Sequence, residues 1–131
     1  MENKISRDTA EGTFQEFLDY YDIAIDEVTE DQANAWKPSE QKIIKAIMRG
    51  RLEIVTDDNF LIIQHLKGGE KVEYKEITGK SKVVMDKEKG EYGKMYALLG
   101  SLSGLGQTAI KKMNGRDVSL AETIGFFFLM V

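Results

Sequence analysis

The chain has 131 residues, 42% of them hydrophobic and 31% charged, a length and balance that suit one core and leave too little for two. It has no Cys and a single His, which excludes disulfides, thiol nucleophiles, thiolate metal sites and His-rich zinc sites. The net charge of −4 is uneven: residues 1–40 carry 11 acidic and 3 basic side chains, residues 41–131 carry 11 and 15, so an acidic arm precedes a weakly basic body.

The first fifty residues read as helical. Phe14, Phe17, Leu18 and Tyr21 fall at i, i+3, i+4 and i+7, one apolar stripe. Thr29 and Gln32 have capping-box spacing and open a second helix. Pro38 is expected to stop it near Trp36, because the residue before a proline is pushed out of helical geometry. Ser39 then offers a fresh N-cap for a helix carrying Ile43, Ile44, Ile47 and Met48, and Gly50 is placed to close it in the left-handed conformation.

The apolar period changes to two from residue 51. Residues 51–56 and 60–66 are expected strands, with Asp57-Asp58-Asn59 as turn chemistry between them. Gly68-Gly69 reverses the chain into a third strand, in which Val72, Tyr74 and Glu76 share a face. Gly79-Lys80-Ser81 reads as another turn, and Val83-Val84-Met85 as a short fourth strand. Joined by tight turns, such strands pair antiparallel, since parallel neighbours need crossovers of a dozen residues or more.

Helical spacing returns with Tyr92, Met95, Tyr96, Leu99 and Leu102, and the cluster Gly100, Gly104 and Gly106 should end that helix near Ser103. A short piece over residues 107–113 closes at Asn114-Gly115, and Ser119 with Glu122 caps a last helix holding Ile124 and the Phe triplet. The expected fold is α+β in one domain. Residues 1–50 are mainly helical with the acidic arm, residues 51–86 form an antiparallel β-meander of three to four strands, and residues 87–131 are helical.

Little in the pattern points to chemistry. Gly79-Lys80-Ser81 imitates the end of a phosphate-binding loop, but Tyr74 stands where that loop needs Gly, and a strand rather than a helix is expected next. Gly100, Gly104 and Gly106 lack the spacing of a dinucleotide fingerprint. Asp22, Asp26, Glu27, Glu30 and Asp31 gather carboxylates, with Asp22 and Asp26 on one helical face. Without the glycine turn and alternating Asp series of a calcium loop they read as a solvated acidic face. His65 alternates onto the face of Leu61 and Ile63, away from Phe60, Ile62 and Gln64, as a packed or half-exposed strand residue. Trp36 reads as core. No catalytic residue, cofactor site or metal site is expected.

The run Phe126-Phe127-Phe128-Leu129-Met130-Val131 is apolar all round, yet far shorter than the ~20 residues of a membrane-spanning helix. It reads as internal, with docking on another chain as the alternative. The start of the chain lacks the apolar core of a signal peptide, so a reducing cytoplasm is the expected location.

The segment from Tyr92 to Leu105 resembles part of the bacteriophage tail assembly chaperones. In those proteins an aliphatic helix runs into a Leu-(Thr/Ser)-Gly-Leu turn, followed by an aliphatic pair before Asp and then by a Phe-rich helix. The counterparts here are Leu102-Ser103-Gly104-Leu105, then Ile110 and Met113, then Asp117, then Leu120, Ile124, Phe127 and Phe128. The likeness is confined to residues 92–131. Gly106-Gln107-Thr108 replaces the family's acidic residues, Asn114-Gly115-Arg116 is an untypical insertion, and the acidic arm has no counterpart.

The resemblance implies a non-catalytic role: binding the long helical tape-measure protein and recruiting tail-tube subunits in the host cytoplasm. Within it the expected partner-binding residues are Tyr92, Met95, Tyr96, Leu99, Phe126 and Phe128, and a homo-oligomer stays open. Three alternatives remain. One is a structural virion protein of the tail, connector or baseplate. Another is a small-ligand-binding regulator or enzyme with Tyr74, His65 and Glu76 lining a pocket on the sheet. The last is a nucleic-acid module using Lys67, Lys71, Lys75, Lys80 and Lys82, whose interleaving with acidic residues is instead the look of a solvated face.

Overall fold

In the computed structural model, residues 4–23, 29–57 and 59–130 are described, apart from the side chains of residues 32 and 33. Helix α1 (Arg7–Tyr20) is capped by Ser6, whose hydroxyl accepts from the Thr9 N–H at 3.2 Å, and it buries the stripe Ala10, Phe14, Phe17 and Leu18. Asp22 follows with φ 55°, outside helical geometry, so it shares no helical face with a later carboxylate. Asp26 and Glu27 lie outside the described residues, among which no group of three potential metal ligands occurs.

Helix α2 (Glu30–Met48) runs straight through Pro38, where a break and a restart at Ser39 were expected. Proline removes one helical hydrogen bond, leaving the Asn34 carbonyl without its donor. Asn34 and Pro38 are both exposed, where water reaches that carbonyl, and the buried Ile43, Ile44, Ala46 and Ile47 anchor the helix beyond it. Trp36, expected in the core, is only half-buried on this helix. Gly50 takes φ +74° and turns the chain into the sheet.

Strands β1 (Leu52–Val55), β2 (Leu61–His65) and β3 (Lys71–Lys75) form an antiparallel sheet in sequence order, with Ile54 opposite Ile62 and Ile62 opposite Tyr74. Alternation buries Leu52, Ile62, Gln64, Val72 and Tyr74 on one face. The expected fourth strand is instead helix α3 (Gly79–Asp86), preceded by an extended Thr78. Three apolar residues are too few to set a period, and helix α4 (Glu91–Ser103) packs against both β3 and α3. Glu76 consequently lies beyond β3 and is exposed.

Helix α4 ends at Gly104 with φ +73°, and a short α5 (Gln107–Lys111) leads to α6 (Gly115–Phe128). The last helix starts earlier than Ser119 because Asn114 is extended and caps it. The Asn114 Oδ1 accepts from the Asp117 N–H at 3.0 Å, while Asn114 Nδ2 donates to Asp117 Oδ2 at 2.9 Å. Ser119 sits inside the helix, its carbonyl accepting from the Thr123 hydroxyl. The core lies where the covered sheet face, α1, α2, α4 and α6 meet. Of the run expected to be internal, Phe127 and Phe128 turn inward there, while Phe126 is half-buried and Leu129 exposed: Phe127 stands 5.2 Å from Phe14 and Phe128 5.9 Å from Phe17, ring to ring, in edge-on contacts.

Candidate protein-binding surface

Tyr92, Met95, Tyr96 and Leu99 follow one side of α4 at i, i+3, i+4 and i+7. That side meets α6 at Gly125. A Cβ there would stand 2.7 Å from Met95 Cγ, so the missing side chain is what lets the two helices approach. Next to this crossing the Tyr96 hydroxyl donates to Glu122 Oε2 at 2.6 Å. The hydrogen bond to Glu122, with lesser help from burial, pushes the Tyr96 pKa up to about 12.

The rim of this crossing is open. Tyr92 is 66% exposed with its ring 6.0 Å from that of Tyr96, and Leu129, just past α6, is 43% exposed. Phe126 is half-buried, one helical turn from both Glu122 and Leu129. Helix α3, which packs against α4, presents Val83 at 58% exposure. Aromatic residues and Met at a partly open seam are the composition of protein interfaces rather than of ordinary surface.

The six expected partner-binding residues are thereby divided. Tyr92, Met95, Tyr96 and Phe126 line or flank the α4–α6 seam, whereas Leu99 and Phe128 are fully buried in the core and offer no surface. Leu129 belongs to the run expected to be internal and is instead exposed, and Val83 is exposed on a helix where a strand was expected.

The opposite face of the sheet carries Leu61, Ile63 and His65, all half-buried, in the centre strand, with charged side chains on the two edge strands. The His65 Nε2 lies 2.6 Å from Glu53 Oε2 across β1 and β2. Tyr74 points to the other face, fully buried, and its hydroxyl donates to Gln64 Oε1 at 2.8 Å. Burial pushes its pKa far up. Glu76 meets the Tyr20 hydroxyl instead. Tyr74, His65 and Glu76 therefore do not converge on a pocket.

Gly79-Lys80-Ser81 is the first turn of α3 and not a hairpin turn. A helix does follow, yet the position that a phosphate loop gives to Gly is held by Tyr74, packed in β3. Ser81 is buried with its hydroxyl 3.4 Å from that of Thr78. Of the five lysines weighed for nucleic acid, Lys71 lies 3.7 Å from Glu73, and Lys80 and Lys82 belong to α3 rather than to the sheet.

A second feature was not legible in the chain order. Lys42, Lys45 and Arg49 from α2 and its end, Arg51 before β1, and Arg116 at the start of α6 line a cleft of about 230 Å³. At its edge Asp117, 5% exposed, accepts from the Lys67 N–H at 3.1 Å to each carboxylate oxygen, from Asn114 Nδ2 and from Arg116. The Gln64 side-chain amide donates to the Asp117 carbonyl at 2.8 Å, which joins α6 to Tyr74 through one buried chain of hydrogen bonds. Lys42 donates to the Ser119 hydroxyl.

Comparison with protein-family models, with curated proteins and with solved structures finds no match to this chain.

Proposed function

We propose that this chain is a non-catalytic protein-binding module that assists bacteriophage tail assembly, sheltering the long helical tape-measure protein until tail-tube subunits replace it. The observation that carries the reading is the α4–α6 seam. Tyr92, Met95, Tyr96 and Phe126 lie along it, with Leu129 exposed just past α6 and Val83 exposed on α3, the helix that packs against α4, a surface suited to an apolar helix with anchors at i, i+3 and i+4.

The residues of the family resemblance support it from beneath. Gly104 ends α4 in the left-handed conformation, Ile110 and Asp117 are buried, and Phe127 and Phe128 fill the core. They shape the helical scaffold that presents the seam. Among the described residues no helix is long and apolar enough to cross a membrane, and the host cytoplasm is the proposed place of action.

The test is co-expression with a tape-measure protein that is insoluble alone. Soluble complex is expected with the wild-type chain, and its loss with a Tyr92→Ser, Val83→Ser double variant that keeps the wild-type circular dichroism spectrum. A well-folded chain that leaves the tape-measure protein insoluble refutes the reading. So does its presence as a stoichiometric component of finished particles, which identifies a structural virion protein.

A further inference from the structure

Lys42, Lys45 and Arg49 recur at i, i+3 and i+7, on one side of α2. Gly50 then reverses the chain, and the Arg51 N–H donates to the Ala46 carbonyl at 2.9 Å, which returns Arg51 to the same side. Arg116 arrives from the first turn of a 14-residue helix, whose N-terminal end is itself positive. Five cationic side chains thus border one cleft of about 230 Å³, and among the described residues lining it Asp117 is the sole acid. The Asp117 carboxylate already accepts from a backbone N–H, an amide and a guanidinium. Burial first, then the proximity of Arg116 and Arg49, pushes the Arg51 pKa down, and only Asp117 opposes this. Arg51 is thus held beside two like charges, a repulsion that a bound counter-anion would offset.

From this convergence we propose that the cleft between α2 and the start of α6 binds a phosphate-class dianion. Two charges and several acceptor oxygens match the forked guanidinium groups, where a single carboxylate would offset one cation only. The volume is below the roughly 300–1,000 Å³ of pockets that enclose drug-sized ligands, and it suits a phosphoryl group. Among the described residues lining it the imidazole of His65 is the one ring, so they supply no aromatic platform on which nucleic-acid bases stack. Free phosphate and a phosphoryl group carried by a partner protein share this chemistry.

Titration calorimetry on the full chain at low ionic strength separates the sources, with inorganic phosphate and a phosphoserine peptide as probes and hexaglutamate and a short oligothymidylate as competitors. Saturable binding of phosphate or of the phosphopeptide is expected, weakened at least tenfold by Arg49→Gln and by Lys45→Gln, and unchanged by Lys94→Gln on α4. The tighter of the two probes identifies the source. Phosphate should also raise the melting temperature more than chloride of equal ionic strength, an increment that Arg49→Gln abolishes. If Arg49→Gln melts well below the wild type, Lys45→Gln carries the test. No saturable heat from either phosphate probe, binding of hexaglutamate or the oligonucleotide alone, or unaltered phosphate affinity in both variants overturns the proposal.

Discussion

Adding one methyl group to either of two helical glycines should change stability in opposite directions. Gly100 lies within α4, and a Cβ there would stand 2.4 Å from both Gln107 N and Gly106 C, and 2.9 Å from Gly106 O. These are backbone atoms of the turn that folds back on α4, and the Gly106 N–H donates to the Gly100 carbonyl at 3.1 Å. Accommodating Gly100→Ala means moving that turn by on the order of 1 Å. Such overpacking costs about 1–3 kcal/mol, and stretching the hydrogen bond about 1 kcal/mol more. The better helix propensity of Ala returns about 1 kcal/mol. The balance is a loss of about 1–3 kcal/mol. Gly12, in the middle of α1, has nothing within 4 Å of its virtual Cβ. Gly12→Ala should therefore stabilise by about 0.5–1 kcal/mol. Urea unfolding followed by circular dichroism should separate the two midpoints by on the order of 1 M, given slopes of about 1–3 kcal/mol/M for small proteins. Equal stabilisation by both substitutions would refute the close approach of the turn to α4.

Phe128→Ala should cost about 3–5 kcal/mol, since it empties a fully buried site, and thermal melting should show the loss with no partner present. Tyr92→Ser should change stability by no more than about 0.5 kcal/mol, so any loss of partner binding it causes belongs to the surface. Tyr74→Phe removes the donor to the buried Gln64 Oε1 and should cost about 1–3 kcal/mol by urea unfolding. Burial raises the Tyr21 pKa to about 12, and the hydrogen bond to Glu122 does the same for Tyr96, against an ordinary value near 10. The folded state therefore holds these protons more tightly than the unfolded chain. Their contribution is fully present below pH ~10 and is lost as pH rises towards about 12, which absorbance at 295 nm and stability measured across that range should both report.

What was legible in the chain follows from short-range physics. The stripe Phe14, Phe17, Leu18, the alternation through Leu61–His65, the left-handed Gly50, the end of α4 at Ser103 and the inward Phe127 and Phe128 are each dictated by local period or by backbone sterics. Local rules ruled wrongly where tertiary contacts outweigh them. Pro38 sits inside α2 because burial further along the helix holds it together, and residues 79–86 are helical because α4 is there to receive them. The seam was half visible: spacing placed Tyr92, Met95, Tyr96 and Leu99 on one side of a helix. Only packing decides that Leu99 is core and Tyr92 is surface, because exposure depends on what the other helices cover. The cationic cleft was invisible for the same reason. Arg51 and Arg116 are 65 positions apart in the chain, and no rule of local pattern brings them together; the docking of α6 against α2 and the sheet does.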